Sequence, residues 1–189
     1  MVPVDHLRQI IAYDPDTGSF TWLARDRASF ASEGAYSNFK RKFAGQEAFP
    51  KPGVSGYRET IITYQGRRFN LRAHQIAFAL SFGRYPTVFI DHANGDRADN
   101  RLANLREATQ QQNVWNAERL PTAGTKRARG GRWEAFIRIG GKKKYLGNFP
   151  TRELAHAAYV AASNEVAGDF SPFKRPSHVN TAHKNSEVQ

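Results

Sequence analysis

Apolar residues recur along this chain in short bursts whose period changes from one burst to the next. Over residues 4–13, Leu7, Ile10 and Ile11 fall at helical spacing and predict a short amphipathic helix. Asp14, Pro15, Asp16, Thr17 and Gly18 form a turn sequence, and residues 19–23 read as a strand. Residues 25–53 show no clean period and read as irregular. Residues 57–63 alternate in part, 64–67 supply a turn, and 68–72 return, which predicts a β-hairpin. A helix over 72–82 follows, with Ile76, Ala79 and Leu80 on one face and Gly83 as its stop.

Phe89 and Ile90 are β-favouring and end a strand on Asp91 and His92. Asn94, Gly95, Asp96, Asp99 and Asn100 are turn formers, so an ordered loop leads to a short strand over 102–106. Thr109 is a helix N-cap candidate, and the helix it starts runs on through Asn113 to Asn116. Pro121 marks a short linker. Beyond it, residues 132–139 alternate as a strand, Gly140 and Gly141 form a turn, and 142–147 make the next strand. Thr151 opens a further helix, in which Leu154, Ala157, Ala158 and Ala161 form a small-residue face suited to a sheet, and Gly168 ends it. The fold class is α+β. The expected organisation is an N-terminal helix, turn and strand with an irregular basic region over 1–53, a central unit over 54–118, a linker over 119–123, a second unit over 124–173, and a disordered polar tail over 174–189.

Charge narrows the function classes. The 189 residues include 28 Lys and Arg against 17 Asp and Glu, a formal net charge of +11. Such a balance favours nucleic acid or another anionic surface as partner. The chain has no cysteine, so disulfides and thiolate metal sites are excluded. No apolar run approaches the roughly 20 residues of a membrane span. The first residues lack a basic stretch followed by an apolar run, so no secretory leader and an intracellular, cytoplasmic location are expected.

The chemistry gathers between residues 90 and 116. A strand, a loop, a short strand and a helix bring Asp91 and Asn113 over a common point, with His92 beside them. A carboxylate and an amide carbonyl are hard oxygen donors, suited to Mg²⁺ or Mn²⁺ rather than zinc. His92, mostly neutral at pH 7, suits a general base on water. Metal, base and bound phosphate together suggest phosphodiester hydrolysis. Taken singly, each residue also reads blandly: a strand-end bond pair at Asp91 and His92, a turn-satisfying Asn104, an exposed helical Asn113.

The run DHxNGDxxDNRLxNLRxxTxxxN, from Asp91 to Asn113, resembles an HNH endonuclease of the kind found in phage genomes and homing elements. The resemblance implies a ββα-metal fold, one divalent ion per site, and cleavage or nicking of double-stranded DNA. It implies Asp91 and Asn113 as metal ligands, His92 as general base and Asn104 as its catalytic support. Arg106 would steady a phosphate or form a structural ion pair. His74 reads as structural, packing beneath the site or bonding backbone, with a phosphate contact as the alternative. If the chain is phage-encoded, the host cytoplasm is its expected compartment.

The second unit resembles an AP2 domain, a three-stranded sheet plus helix that binds DNA. The matching pieces are Gly124, residues 132–138, 145–149 and 151–159. The resemblance implies Lys126, Arg129, Arg132, Arg138, Lys143 and Tyr145 as DNA contacts. Ala128, Gly130 and Phe136 depart from the usual Arg, Trp and Glu, so a GC-box specificity does not carry over. From Lys126 to Lys144 eight residues are basic and one is acidic, which suits phosphate neutralisation. A DNA-binding regulator with an idle HNH site is the alternative from another class. An RNA-binding protein is a third reading, disfavoured because no tandem aromatic pattern is present. No protein partner is expected, and a monomer that nicks or a dimer that cuts both strands would each fit.

Overall fold

The computed structural model describes residues 1–117 and 123–175. The chain divides into two compact units, Met1–Leu120 and Pro121–Gln189. Most of the expected linker, and the expected tail beyond Arg175 with His178 and His183, lie outside the described residues. Among the described residues no helix is long and apolar enough to cross a membrane.

In the first unit, α1 (Val4–Ile10) is followed at once by β1 (Ile11–Tyr13), which pairs antiparallel with β2 (Phe20–Trp22). The helix expected over 4–13 therefore stops three residues early. Leu7 and Ile10 are its buried face, while Ile11 is extended at φ −135° and feeds the hairpin. The turn explains the switch: the Asp14 carboxylate accepts from the Asp16 N–H at 2.9 Å and the Thr17 hydroxyl at 2.8 Å. Gly18 closes this turn at φ +72°, and a side chain there has no space. A Cβ there would sit 2.4 Å from the Arg101 backbone nitrogen. The Leu102 N–H donates to the Pro15 carbonyl at 2.9 Å, and the Tyr13 hydroxyl to the Asn100 carbonyl at 2.8 Å. The N-terminal hairpin thus braces the loop after His92.

Residues 25–53, expected to be irregular, contain α2 (Glu33–Lys42). Its signals were local ones. The Ser32 hydroxyl accepts from the Ala35 N–H, Glu33 sits in the first turn, and Lys40, Arg41 and Lys42 sit in the last. Periodicity missed it because only Phe39 is buried, too narrow a stripe to show a period. Phe39 joins Leu7, Phe20, Trp22, Phe49, Ile62, Leu71 and Ile76 in one core.

β3 (Glu59–Tyr64) and β4 (Arg67–Arg72) form the expected hairpin around Gln65 and Gly66. α3 (Ala73–Phe82) follows as expected and ends at Gly83, burying His74 along with Ile76, Ala77, Phe78 and Ala79. β5 (Phe89–His92) pairs antiparallel with β6 (Leu105–Ala108). The strand expected over 102–106 is a 3₁₀ turn up to Asn104, and only from Leu105 is it β. α4 (Gln110–Trp115) is closed by a capping box: Thr109 Oγ1 accepts from the Gln112 N–H, and Gln112 Oε1 accepts from the Thr109 N–H. Among the described residues the first unit therefore holds three two-stranded sheets.

The second unit is one antiparallel sheet, β7 (Thr125–Arg127), β8 (Trp133–Ile139) and β9 (Lys142–Phe149), in that order, with α5 (Arg152–Ala167) packed on it. The helix face differs from expectation. Ala155, Tyr159, Ser163 and Ala167 are buried, whereas Leu154 is 50 % exposed and Ala157 and Ala161 are exposed. Alanines lie on every side of this helix, so small size cannot mark the inner stripe. Tyr159 decides it: its ring occupies the space a Cβ on Gly124 would need, 2.0 Å away.

Candidate active site

The end of β5 supplies the two central groups. Asp91 is 5 % exposed and His92 4 %. Register places Asp91 opposite Arg106 on β6, so the two side chains meet across the ladder. Arg106 Nε donates to Asp91 Oδ2 at 2.9 Å, and Nη2 lies 2.9 Å from the same oxygen. Of the two roles left open for Arg106, the ion pair is present.

α4 brings a group that the sequence reading did not single out. Asn116, 4 % exposed, has its Nδ2 at 2.9 Å from both Asp91 oxygens and 2.7 Å from the His92 carbonyl. An amide nitrogen has two protons for these three acceptors. One is shared between the carboxylate oxygens while the other goes to the carbonyl. Asn113 stands three residues earlier, on the same side of the helix and half-buried, and among the described residues its side chain bonds neither Asp91 nor His92. That i, i+3 spacing was the available signal for Asn116.

Asn104 acts on the loop rather than on the imidazole. Its Oδ1 accepts from the Asn94 N–H at 2.9 Å, and its Nδ2 donates to the Asp99 carbonyl at 2.8 Å. Asn94 Nδ2 in turn donates to Asp99 Oδ2 at 2.7 Å. The structure thus places Asn104 as the pin of the loop that follows His92.

Among the described residues, His92 Nε2 is buried without a hydrogen-bond partner of full geometry. Burial lowers its pKa from the ordinary value. Asn100, whose carboxamide approaches the ring without full hydrogen-bond geometry, and the carboxylates of Asp91, Asp96 and Asp99 oppose that shift. The ring meets His74 edge-on at 5.2 Å and Tyr57 at 5.9 Å, and Tyr57 and His74 are 4.8 Å apart. His74 is driven down to about 3, by burial first and then by His92 and Arg72. It is a neutral ring packed against His92.

The donor set can be tested against a divalent ion. Among the described residues no group of three or more His, Cys, Asp and Glu is placed to hold a metal. Asp91 supplies hard oxygens, and Asn113, the other ligand expected from the sequence, stands half-buried on α4 without a bond to Asp91 or His92. Asp91 Oδ2 already accepts from Arg106 and Asn116, while Oδ1 shares only the Asn116 proton and keeps lone pairs. By their chemistry, a carboxylate and an amide oxygen suit a hard divalent ion such as Mg²⁺ or Mn²⁺, completed by water and phosphate oxygens.

The DNA contacts expected in the second unit lie mainly on one surface. Ala135 and Ile137 point inward, so Glu134, Phe136 and Arg138 occupy the outer face of β8. Pairing adds Lys126 opposite Glu134, Tyr145 opposite Phe136 and Lys143 opposite Arg138. Tyr145 is 58 % exposed, and Lys143 Nζ sits 3.9 Å over the Phe136 ring. Arg132 is exposed but bound to the sheet, donating to Asn148 Oδ1 at 2.8 Å and its carbonyl at 2.9 Å. Arg129 is exposed on a 3₁₀ turn before β8.

Residues 71–115 match a family model described as HNH endonuclease. An uncharacterized HNH endonuclease of Acanthamoeba polyphaga mimivirus is 28 % identical over 122 residues, which is 63 % of this chain and 63 % of that protein. The chain thus spans a little under two thirds of that relative. A solved structure titled DNA binding and cleavage by the HNH homing endonuclease I-HmuI is similar at a TM-score of 0.42 and 16 % identity, over 87 % of this chain and 80 % of that one. The segment matched by the family model takes in Asp91, His92, Asn104, Arg106 and Asn113, and over residues 71–115 the chain carries an HNH endonuclease domain.

Proposed function

We propose that this protein is a divalent-metal-dependent DNA endonuclease that hydrolyses phosphodiester bonds. The observation that carries the reading is the pairing, at one strand end, of an anchored Asp91 carboxylate with a buried His92. Burial keeps the ring neutral, and a neutral ring can take a proton from water. Asp91 and Asn113 would hold the ion, and Asn104 would keep His92 in place through its loop. When bound, a Mg²⁺ or Mn²⁺ ion supplies Lewis-acid stabilisation of phosphate oxygens.

The second unit is the proposed DNA-binding module, with the AP2 resemblance as support. Its outer face places Lys126, Arg138, Lys143 and Tyr145 side by side, next to Phe136. Cations in that density neutralise phosphates, and the flat face can enter a groove.

One observation favours a second reading, a DNA-binding regulator whose nuclease site is idle. Arg106 and Asn116 already occupy part of the carboxylate that an ion would need. Supercoiled plasmid incubated with the protein in Mg²⁺, Mn²⁺ or EDTA separates the two. Nicked or linear product with metal and none in EDTA supports the nuclease. Binding without product in either metal supports the regulator.

A further inference from the structure

Tyr57 sits beside the candidate active site and carries two cations that the hydrolytic scheme does not use. The Arg72 guanidinium carbon lies 5.4 Å from its ring centroid and the Arg97 carbon 5.0 Å. The same ring touches His74 at 4.8 Å and His92 at 5.9 Å. Two guanidinium groups are therefore held one aromatic ring away from the His92 imidazole. They arrive from different elements. Arg72 ends β4 just before α3, and Arg97 lies in the loop between β5 and β6. Tyr57 precedes β3.

Both cations are positioned. Arg97 Nη1 donates to the Ser55 carbonyl at 2.8 Å, and its stem lies over Gly56, where a Cβ would be 3.6 Å from Arg97 Cδ. Arg72 Nε donates to Glu59 Oε1 at 3.1 Å. The surrounding acids are engaged: Glu59 takes one edge of Arg72, and of the carboxylates facing His92, Asp91 pairs with Arg106, Asp99 with Arg101, and Asp96 binds the Ala98 N–H. Both arginines are exposed, so each presents further N–H donors to solvent. A cation stacked on an aromatic ring loses less freedom on binding an anion than one on a mobile stem.

We propose that Arg72 and Arg97, held over the Tyr57 ring, form a phosphate-binding pair that grips the DNA backbone next to the scissile phosphodiester. The placement next to a scissile bond rests on the nuclease reading above; the capacity to hold phosphate does not. The pair would fix which phosphate stands in front of His92, because its two forks reach the backbone from two separate elements. Guanidinium groups suit this task through planar, bidentate contact with phosphate oxygens.

The test uses the full chain and a generic duplex in EDTA, where no cleavage obscures binding. Wild type, Arg72→Gln, Arg97→Gln, the double variant and Arg97→Lys are titrated over a salt series. Each lost phosphate contact should flatten the dependence of log affinity on log salt by about 0.9, and the double variant by about 1.8. Arg97→Lys should retain the wild-type slope, because the charge remains. Unchanged slopes with lowered melting temperatures would make these arginines loop braces and overturn the proposal. In Mg²⁺, the nick made by wild type is mapped and single methylphosphonates are placed at the flanking positions. One of them should slow wild type but leave Arg97→Gln no slower than it already is. Equal slowing of both proteins at every position would put the cations elsewhere on the DNA and overturn the placement. If wild type makes no nick in metal, the hydrolytic reading fails, while the salt slopes still decide whether the pair holds phosphate.

Discussion

Between Asp91 and Asn104 polar side chains are bonded to the backbone around them, whereas on the outer face of β7–β9 they stand largely in solvent. Asn94, Asp96, Asp99 and Asn104 each bond a neighbouring N–H or carbonyl, and the N-terminal hairpin braces the loop from behind. On the sheet, Lys126, Arg138 and Tyr145 are exposed, and Lys143 has only an aromatic ring beneath it. The difference follows from what each region is proposed to do. Proton transfer needs atoms held within a fraction of an ångström, so the supporting groups must be bonded in advance. Phosphate neutralisation depends on charge number more than on exact placement, so loose cations serve.

The comparison breaks most easily at Asp91 and His92. Asp91→Ala should abolish metal-dependent plasmid nicking, because the carboxylate is the one anionic donor proposed for the ion. The same change breaks the Arg106 ion pair, so a loss of stability, measured by thermal melting, should accompany it. His92→Ala should slow nicking about 10²- to 10⁴-fold with duplex binding retained. In wild type, the rate should rise with pH as the imidazole loses its proton. Burial lowers the His92 pKa, so the midpoint should fall below its ordinary 6.5 and the rate should be level above it. Full nicking by Asp91→Ala in Mg²⁺, or a flat rate from acid to neutral pH with chemistry rate-limiting, would remove these roles.

A smaller effect is expected on the sheet. Changing Arg138 and Lys143 together to Ala should weaken duplex binding and flatten the salt slope by about 1.8. Nicking at saturating protein, and the melting temperature, should stay near wild type. If Arg138 reads a guanine edge, discrimination at one position should also fall by about 1 to 3 kcal/mol. Equal affinities and slopes for variant and wild type would mean that this face does not hold DNA.

The smallest effect separates the two sides of α5. Leu154→Ala should change stability by less than about 0.5 kcal/mol, since Leu154 is half exposed. Ala155→Leu should cost about 1 to 3 kcal/mol, because Ala155 has no room against the sheet. Chemical denaturation of both variants checks the inner face, and a reversed order would restore the face that small residues suggest.

Much of this molecule was legible one stretch at a time. The hairpin around Gln65 and Gly66, the stop at Gly83, the strand ending on Asp91 and His92, and the cap at Thr109 depend on residues within a few positions of one another. α2 was equally local, with Ser32 as cap, but its single buried Phe39 left no period to read. Other features are set by residues far apart. Asn116 bonds Asp91 across 25 positions, and His74 and Tyr57 reach His92 from other elements. Gly18 is required by the Arg101 backbone, and Gly124 by the Tyr159 ring. Turns and caps are determined by the sequence itself, because their hydrogen bonds close within one or two turns of chain. Which Asn meets the carboxylate, and which side of an alanine-rich helix faces in, was decided only by the tertiary structure, because those contacts depend on how whole elements pack, which no short window of residues encodes.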